Sequence, residues 1–412
     1  MTWRAAMAPL AEANFRAYAA SRLVNLLGST MGSIALAFAV LHVTDSPTAL
    51  GTVLAAHSVP LVVFMLAGGV IADRFGRTRV IQVCNVAAGA TNLLIAALVV
   101  SGHAQLWQIA VLTAINGTAA AISFPALASV LPDLVPREQL QPANALMSML
   151  RSGLTILGPT AGGLLVVGVG AGWAIGINGA TYLLSALLLF GVRLPAARRT
   201  AGASMLSDLR EGWSYVRSTT WLWSVVLAFC AICALHQGGF FTLGPVLAKA
   251  TSIGESGWGL ILSAEAVGLL VTGVVLLRVR LERPLLWGML GTAIYGLPLI
   301  VLGLHPDLPV VLVAAFVAGV GIEVFGLGWN LALQEHVPPD MLSRAFSYDA
   351  LGSFAAIPLG QLAAGPLADL FGIDRVILAA GLGVSAVALA TLSVPSVRNL
   401  ARTTSVPESA PR

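Results

Sequence analysis

The amino-acid sequence predicts an all-α membrane protein with twelve transmembrane helices in two parallel six-helix bundles. Three observations lead to this prediction: the chain is too apolar for water, it contains twelve apolar stretches of spanning length, and its two halves repeat each other. Hydrophobic residues make up 57% of the 412 residues and charged residues only 10%, whereas soluble domains carry roughly 25% charged residues. Such a chain cannot cover a water-exposed surface, so we expect lipid to surround it.

Each of the twelve apolar stretches is long enough to cross a bilayer, which requires about 20 apolar residues in a helix. An even number of spans places both termini on the same side of the membrane. In chain order, the stretches cover approximately residues 17–42, 49–72, 79–101, 105–131, 141–168, 173–193, 220–248, 256–278, 284–304, 309–333, 343–369 and 374–394.

The positions of the basic residues predict which side carries the termini. Nineteen of the 22 Lys and Arg residues fall in the terminal segments, in the loops on the same side, or at the adjoining helix ends. Only Lys249 and Arg375 fall in the opposite loops, and Arg151 lies inside the fifth helix. Because cytoplasmic loops carry the excess of Lys and Arg, we expect both termini in the cytoplasm and the protein in the inner (cytoplasmic) membrane. The same bias accounts for the net charge of +4 without nucleic acid as a partner.

The two halves of the chain repeat each other with an offset of 202 residues. Segment 134–146 resembles segment 336–348, and the shared residues are Val135, Pro136, Leu140 and Ala143, which recur as Val337, Pro338, Leu342 and Ala345. Four glycines also recur: Gly117, Gly158, Gly163 and Gly170 return as Gly319, Gly360, Gly365 and Gly372. Six spans and a linker separate the copies, so both halves enter the membrane in the same orientation. Parallel repeats with a binding site between them are typical of one class of secondary transporters.

The repeat and the local composition divide the chain into four parts. They are an N-terminal bundle over 1–198, a cytoplasmic linker over 199–219, a C-terminal bundle over 220–396, and a cytoplasmic tail over 397–412 that we expect to be disordered. Apolar residues of the linker share one helical face, which predicts an amphipathic helix along the membrane surface. These residues are Leu206, Leu209, Trp213 and Val216.

Residues 68–80, GGVIADRFGRTRV, concentrate charge between two apolar helices. This segment resembles the loop signature between helices 2 and 3 of the major facilitator superfamily, and GPTAGG at 158–163 resembles the antiporter signature of its fifth helix. The matching residues are Gly69, Asp73, Arg74, Gly76 and Arg77, followed by Arg79, in the loop, and Gly158, Pro159, Gly162 and Gly163 in the helix. Nearly the whole chain is similar to the drug and siderophore exporter branch, which includes enterobactin exporters and macrolide and tetracycline efflux proteins. One departure is the fourth helix, where many drug–proton antiporters have an arginine and this chain has Thr113 or Asn116.

The resemblance implies a role for each motif. The loop residues, together with Asp133 at the inner end of helix 4, would form a conformational latch that closes the cytoplasmic side. Asp73 would face the start of helix 11, whose free N–H groups attract a carboxylate, and Arg77 would face Asp133. The alternative is that these charges only fix the topology. The glycines of the fifth helix would form a groove that faces helix 8 of the other half.

The resemblance also implies that helices 1, 4, 7 and 10 line a central cavity. Few polar groups among aromatic walls suit an amphipathic organic molecule. For Trp329 helix packing is an equally good interpretation, and His236 fits a satisfied polar residue better than a proton carrier. The candidate cavity residues are Asn25, Ser29, Ser33, His57, Asn116, His236, Gln237, Trp329 and Asn330.

Four ionisable residues at membrane depth are candidates for proton coupling, because a charge there costs at least ~2.5 kcal/mol and is functional by default. We expect Glu265 and Arg151 to pair across the interface between helices 8 and 5. Glu323 lies on a cavity-lining helix without an obvious basic partner, which makes it the first candidate for the proton carrier and Glu265 the second. Asp349 lies near the inner end of helix 11, where it can reach water or the latch.

These features predict a secondary active transporter that works as a monomer in the bilayer. It would export a drug-like, siderophore or natural-product small molecule by alternating access, in exchange for protons. The sequence has no GxxxxGK[ST] phosphate-binding segment, so the proton gradient would supply the energy without a cofactor. Cys230 and Cys233 lie in an apolar helix without further ligands, and the loops contain no catalytic constellation, so neither a metal site nor an enzyme is predicted. The alternatives are an importer or facilitator of a nutrient on the same fold, and a non-transporting scaffold or integral-membrane enzyme.

Overall fold

The part of the chain that the structure describes contains twelve helices that are long and apolar enough to cross a membrane, which confirms the predicted fold class. This computed structural model describes residues 7–192, 213–276, 278–279, 281–338 and 341–402, and it describes only the backbone at 66, 67, 69, 70, 72, 73, 128, 129, 132, 137, 141, 343 and 344. The spanning helices, numbered in chain order, are α1 (Ala13–Val43), α2 (Pro47–Phe75), α3 (Arg77–Val100), α4 (Leu106–Ser129), α5 (Leu140–Val169), α6 (Ala171–Leu188), α7 (Thr220–Ala250), α8 (Gly254–Leu276), α9 (Pro284–Leu304), α10 (Leu308–His336), α11 (Leu342–Ala355 and Ile357–Phe371) and α12 (Ile373–Thr391).

Two spans contain a break that the apolar pattern did not predict. Helix α9 is interrupted at Gly296, two residues before Pro298, and α11 is interrupted at Ala356, two residues before Pro358. A proline has no N–H to donate, and its ring clashes with a carbonyl of the preceding turn. The two prolines therefore explain where these helices break.

Helix α7 contains a π-helix at Gln237–Leu243, between an α-helix that ends at His236 and another that begins at Gly244. Within it the Thr242 hydroxyl donates a hydrogen bond to the carbonyl of Gln237, five residues earlier (3.0 Å). A π-helix is rare and is frequently found at functional sites. The sequence shows only two adjacent glycines, Gly238 and Gly239, as a sign of this irregularity.

The predicted linker and tail lie mainly outside the described residues, including Leu206 and Leu209 of the predicted amphipathic helix. Residues 213–218 are helical, and the Trp213 ring lies 5.8 Å from the ring of Tyr348 in α11. At the other end, the Arg402 guanidinium lies 2.9 Å from the Glu335 carboxylate of α10. The first residues of the tail therefore pack against the C-terminal half, where the sequence predicted disorder.

Equivalent glycines show the internal repeat in the backbone. Gly170 joins α5 to α6 and Gly372 joins α11 to α12, and both have a φ of 90°. A residue with a side chain adopts this conformation only with strain, whereas glycine adopts it without strain. The two halves thus use the same glycine turn between their fifth and sixth helices.

Equivalent glycines also mark equivalent helix crossings. A Cβ on Gly158 of α5 would overlap Thr30 of α1, and a Cβ on Gly360 of α11 would overlap the backbone of Ala234 in α7. Such close approaches require small residues at the contact, as is common between membrane helices.

The crossing of α2 with α4 corresponds in the same way to the crossing of α8 with α10. A Cβ on Gly117 of α4 would overlap the backbone of His57 in α2. A Cβ on Gly319 of α10 would overlap the backbone of Glu265 in α8. An ionisable residue therefore lies at each of these two equivalent crossings.

Hydroxyl and amide side chains link the helices of the N-terminal half. The hydroxyls of Ser21 in α1 and Ser185 in α6 share a hydrogen bond of 2.7 Å. Asn178 of α6 donates to Asn92 of α3, and Asn92 donates to Asn116 of α4, each over 3.3 Å. Interhelical hydrogen bonds of this kind stabilise helix association in lipid.

We expect Gly321→Val to destabilise the C-terminal half, whereas Gly326→Val on the same helix serves as its control. A Cβ on Gly321 would overlap the backbone of Gly291 in α9, while no atom lies within 4 Å of a Cβ on Gly326. Overpacking of this kind costs about 1–3 kcal/mol. Thermal unfolding of the purified proteins in detergent should show a lower midpoint for Gly321→Val alone. Equal midpoints would show that the α9–α10 crossing tolerates a side chain.

Candidate functional site

The two halves are joined on one side of the molecule, which we call the far side because it lies opposite the termini. It carries the loop at 44–46 of the N-terminal half and the loop at 251–253 of the C-terminal half. The Lys249 ammonium donates a hydrogen bond to Asp45 (2.8 Å) and another to the carbonyl of Leu41. One C-terminal side chain thus holds two groups of the N-terminal half.

Two further pairs join the halves on the far side. His42 Nε2 lies 3.2 Å from Glu255 Oε1, a pair that is ionic only when the imidazole is protonated. The Thr48 hydroxyl of α2 donates a hydrogen bond to Asp369 of α11 over 3.2 Å. We call these pairs and the bonds of Lys249 the far-side contacts, and they close this side of the molecule.

Lys249 is the only lysine in the chain. Its hydrogen bond, and then its positive charge, hold the pKa of the Asp45 carboxyl below the ordinary value. The Asp45 side chain is largely exposed, so solvent screens this pair and keeps it weak. Sequence reasoning treated Lys249 only as a loop charge. A basic residue placed against the positive-inside bias was the signal that could have revealed its contact.

The GPTAGG motif of α5 faces two different helices. Gly158 and Gly162 pack against Thr30 and Met31 of α1, within the N-terminal half. Gly163 packs against α8, where a Cβ would lie 2.8 Å from the Glu255 carbonyl oxygen. The predicted groove toward helix 8 is therefore wrong for two of the three glycines. Residues four apart share a helix face, and the next residue lies on a different one.

Hydrogen bonds also cross between α5 and α8 deeper in the membrane. The Ser263 hydroxyl of α8 donates to the carbonyl of Ile156 over 2.6 Å. The Ser263 hydroxyl oxygen also accepts a hydrogen bond from the Thr160 hydroxyl over 2.7 Å. In addition, a Cβ on Gly259 of α8 would lie 2.5 Å from the carbonyl oxygen of Pro159. Helix α8 therefore contacts the motif directly through its hydroxyl and glycine residues.

The predicted latch is described only in part. Only the backbone of Gly69 and Asp73, within α2, is described. Arg77 Nη1 lies 2.7 Å from Asp133 Oδ2, as expected, but both residues belong to the N-terminal half. This ion pair fixes the loop between α2 and α3 against the end of α4, and movement of one half against the other does not require it to break.

The other latch residues lie at the surface. Arg74 and Arg79 are exposed, and the Arg74 guanidinium lies 5.6 Å from the centre of the Phe75 ring. Gly76 has a φ of 90° and begins the turn into α3. The turn function of Gly76 is therefore visible, while the latch as a whole stays a prediction.

The predicted partners of the buried charges are different in the structure. Arg151 of α5 acts electrostatically on Glu323 of α10, whereas we expected it to pair with Glu265. Glu323 Oε1 lies 3.5 Å from the position of a Cβ on Gly273, so this carboxylate reaches toward α8. Helical spacing gave the depth of these residues but not the rotation of α10. Arg151 is therefore close enough to Glu323 for its charge to act on this carboxyl group, which the sequence reasoning did not anticipate.

Glu265 instead faces two aromatic residues of neighbouring helices. The Tyr295 hydroxyl of α9 is close enough to the Glu265 carboxyl group to interact with it, and it lies 3.3 Å from His236 Nδ1 of α7. The rings of Tyr295 and His236 are stacked, with centroids 4.1 Å apart. Sequence reasoning missed Tyr295, and a hydroxyl in the middle of an apolar span was the signal.

Asp349 is held by two hydrogen bonds within the C-terminal half. The Trp329 indole N–H donates a hydrogen bond to its carboxylate over 2.9 Å, and the Ser353 hydroxyl donates another over 3.4 Å. Trp329 is only 5% exposed and stacks against Phe325. This carboxylate therefore links α11 to α10. Asp349 itself is partly exposed, and its expected access to water or the latch stays a prediction.

The nine predicted cavity residues divide into two groups. His236, Trp329 and Asn116 are engaged by partners within their own half, as described above. Asn25 is also buried and accepts a hydrogen bond from Arg22 over 3.3 Å. The remaining five are partly buried or exposed, and they are Ser29, Ser33, His57, Gln237 and Asn330. The side chains of Ser29, Ser33 and Asn330 donate hydrogen bonds to carbonyls of their own helices. The place of these five residues in a substrate cavity stays a prediction.

We expect Lys249→Met to open the far side, because it removes both hydrogen bonds to the N-terminal half. Arg375→Met removes the other far-side basic residue, whose side chain is exposed, and serves as the control. Spin labels at Ser101 and His305, in a background without native cysteines, report the distance between the halves. Lys249→Met should increase the population with long distances, and Arg375→Met should not. The same distances in both variants would contradict a holding role for Lys249.

The contact between Asp45 and Lys249 should also weaken as the pH falls. Because the pKa of Asp45 is lowered in the closed state, its stabilising effect is present above the ordinary carboxyl pKa and is lost as the pH falls through the lowered value. The spin-label distances should therefore lengthen in acid. This change should be smaller in Lys249→Met, and an equal change in both proteins would show that another group is responsible.

Two neighbouring glycines of α5 should give different defects when each is changed to leucine. Gly162→Leu overpacks the α1–α5 contact within one half and should lower thermal stability by about 1–3 kcal/mol. Gly163→Leu obstructs the contact with α8 and should lengthen the far-side distances with less effect on stability. Thermal unfolding and spin-label distances on both proteins separate the two effects. Identical behaviour of the two variants would contradict the assignment of the two faces.

Comparison with known proteins agrees with this architecture. The family model described as Major Facilitator Superfamily matches residues 18–360. The chain is 26% identical to the multidrug efflux pump Tap of Mycobacterium tuberculosis, over 92% of each chain. It is 24% identical to the macrolide efflux protein A of Streptococcus pyogenes, over 92% of this chain and 96% of that protein.

The similarity extends to proteins without a named substrate and to solved structures. The chain is 24% identical to the uncharacterized MFS-type transporter YfiS of Bacillus subtilis, over 90% of this chain and 91% of that protein. The crystal structure of the nucleoside transporter NupG shares the fold, with a TM-score of 0.70 and 12% identity over 93% of this chain and 99% of that chain. Twelve spans, a parallel repeat and a matching family model over most of the chain lead to one conclusion: this protein is a transporter of the major facilitator superfamily.

Proposed function

We propose that this transporter exports an amphipathic, drug-like or natural-product molecule, siderophores included, in exchange for protons. The similarity to two relatives named for efflux carries this proposal, because it extends over at least 92% of each chain. Solved structures such as that of the nucleoside transporter are only 12% identical and support the fold alone. Few polar residues of the candidate cavity are exposed or partly buried, and such a cavity suits a largely apolar molecule.

The orientation that we propose follows from the basic residues. The side of the termini carries nineteen of them and would face the cytoplasm. The far side would then face outward, and the far-side contacts would close the carrier to the outside. A molecule taken up from the cytoplasm or the inner leaflet would leave only after those contacts break, which is the order of events in export by alternating access.

Proton coupling is supported by the carboxyl groups at membrane depth. Glu265, Glu323 and Asp349 all belong to the C-terminal half, and buried carboxyl groups in membrane helices mark proton pathways. We propose that the proton gradient is the energy source, without a further cofactor, and that a monomer in the inner membrane carries out the cycle.

The proposal is tested by expression in a bacterial host that lacks its major drug efflux pumps. Susceptibility to a panel of drugs and siderophores should fall for at least one amphipathic compound, and Gly163→Leu should reverse this protection. Everted membrane vesicles then show whether the compound accumulates inside and whether an uncoupler abolishes accumulation. Greater susceptibility, with uptake into intact cells, would indicate an importer and contradict the proposal. Accumulation that survives the uncoupler would contradict proton coupling.

A further inference from the structure

A chain of three ionisable side chains crosses the interior of the C-terminal half. Glu265 of α8 and His236 of α7 both contact the Tyr295 hydroxyl of α9. We propose that these three residues form the proton-binding site of the carrier, in which Glu265 holds the proton and Tyr295 and His236 conduct it. This inference rests on the proposed proton-coupled transport and assigns that coupling to one place.

The donors and acceptors of the chain permit a complete proton transfer. Tyr295 has a single hydroxyl proton, and in the proposed site it donates this proton to the Glu265 carboxylate, so its oxygen is left to accept a hydrogen bond from His236 Nδ1–H. A proton that binds at His236 Nε2 allows the Nδ1 proton to pass to the Tyr295 oxygen, while the Tyr295 proton passes to Glu265. One proton enters at Nε2 and one new O–H bond forms at Glu265. Histidine returns to its neutral form with the proton on Nε2, and the reverse sequence releases the proton.

The surroundings make the protonation state of this chain energetically important. His236 is 4% exposed, and its ring is stacked on Tyr295 and lies 4.9 Å from the ring of Phe240 and 5.6 Å from that of Phe241. Few polar groups are available to stabilise a charge in such an aromatic environment, so a charge there is costly. Loading and release of a proton therefore change the free energy of this region strongly.

Other ionisable groups on the helices around the chain are accounted for. Cys233 of α7 faces Tyr295, and Asp349 of α11 acts on Cys233 while bonded to Trp329. On α10, Glu323 is the ionisable residue in the middle of the helix, and Arg151 of α5 acts on it, whereas Glu335 and His336 lie at the end of the helix. The influence named for Glu265 is that of the Tyr295 hydroxyl.

The chain is connected to the contacts between the halves through α8. Ser263, two residues before Glu265, forms the hydrogen bonds to Ile156 and Thr160 of α5. A movement of Glu265 on protonation therefore acts directly on a contact that joins the two halves.

A second connection runs through α7. The π-helix begins at Gln237, directly after His236. Within it, Thr242 lies 3.4 Å from the position of a Cβ on Gly51 of α2, which belongs to the other half. Both ends of the hydrogen-bonded chain are thus next to an interface between the halves, as coupling of a proton to alternating access requires.

The transport test uses purified protein in proteoliposomes with a compound that the wild type exports. Glu265→Gln should still exchange the compound between the two sides but lose accumulation driven by an imposed pH gradient. Asp374→Asn, which removes an exposed carboxyl group in the first turn of α12, is the control and should keep accumulation. Glu323→Gln tests the rival assignment of the proton to Glu323. Accumulation by Glu265→Gln at the wild-type level would overturn the proposal, as would its loss in Glu323→Gln with Glu265→Gln unaffected.

If Glu265→Gln loses exchange as well, Tyr295→Phe decides, because it keeps the carboxyl group and removes only the hydroxyl. Accumulation by Tyr295→Phe should show a shifted pH profile, and His236→Gln should show a shift as well. Unchanged profiles in both variants would overturn the conducting role of these residues.

An infrared titration tests the site independently of transport. The wild-type protein should show a carboxylic-acid C=O band that titrates between about pH 5 and about pH 9, the range open to buried carboxyl groups. The band should be absent in Glu265→Gln and shifted in frequency in Tyr295→Phe. Such a band in a protein without proton-driven transport would refute the proposed function but not the site. Proton-driven transport without the band would refute the site alone.

Discussion

The bilayer interior offers no hydrogen bonds, and this constraint determines most of what the structure shows. Backbone groups are satisfied within helices, so apolar stretches become spans. Polar side chains must find partners on neighbouring helices, as the amides of Asn178, Asn92 and Asn116 do in the N-terminal half. Where the partners are hydroxyls and amides the result is packing. Where they are carboxyl and imidazole groups, as at Glu265 and His236, the same constraint creates the conditions for the proton-binding site that we propose.

Close approach of helices is the second requirement, and glycine meets it. In lipid there is no hydrophobic driving force between helices, so contact area and small residues replace it. The glycines at 158 and 162 bring α1 and α5 together within one half, whereas Gly163 brings α5 against α8 of the other. One short motif thus stabilises a bundle and forms a movable interface, because consecutive residues of a helix face different neighbours.

The sequence was sufficient for the fold and insufficient for the partners within it. Apolar length predicted all twelve spans, and the offset of 202 predicted equivalent crossings such as those at Gly158 and Gly360. The sequence could not predict that Arg151 acts on Glu323, because the rotation of each helix about its axis depends on its packing with several other helices at once. Nor could it identify Tyr295 as a partner of Glu265, since residues thirty positions apart carry no periodic signal. The far-side contacts of Lys249 were not predicted, because the sequence of a short loop contains no pattern that identifies the segment it will contact.

The equivalent crossings of the two halves have an electrostatic consequence. His57 lies at the crossing of α2 with α4, and Glu265 lies at the corresponding crossing of α8 with α10. An imidazole gains a charge when it binds a proton, whereas a carboxylate loses one. Protonation would therefore change the charge of the side chains at these two crossings in opposite directions. The duplicated backbone is the same at both places, and the residue carried there decides the sign of the response.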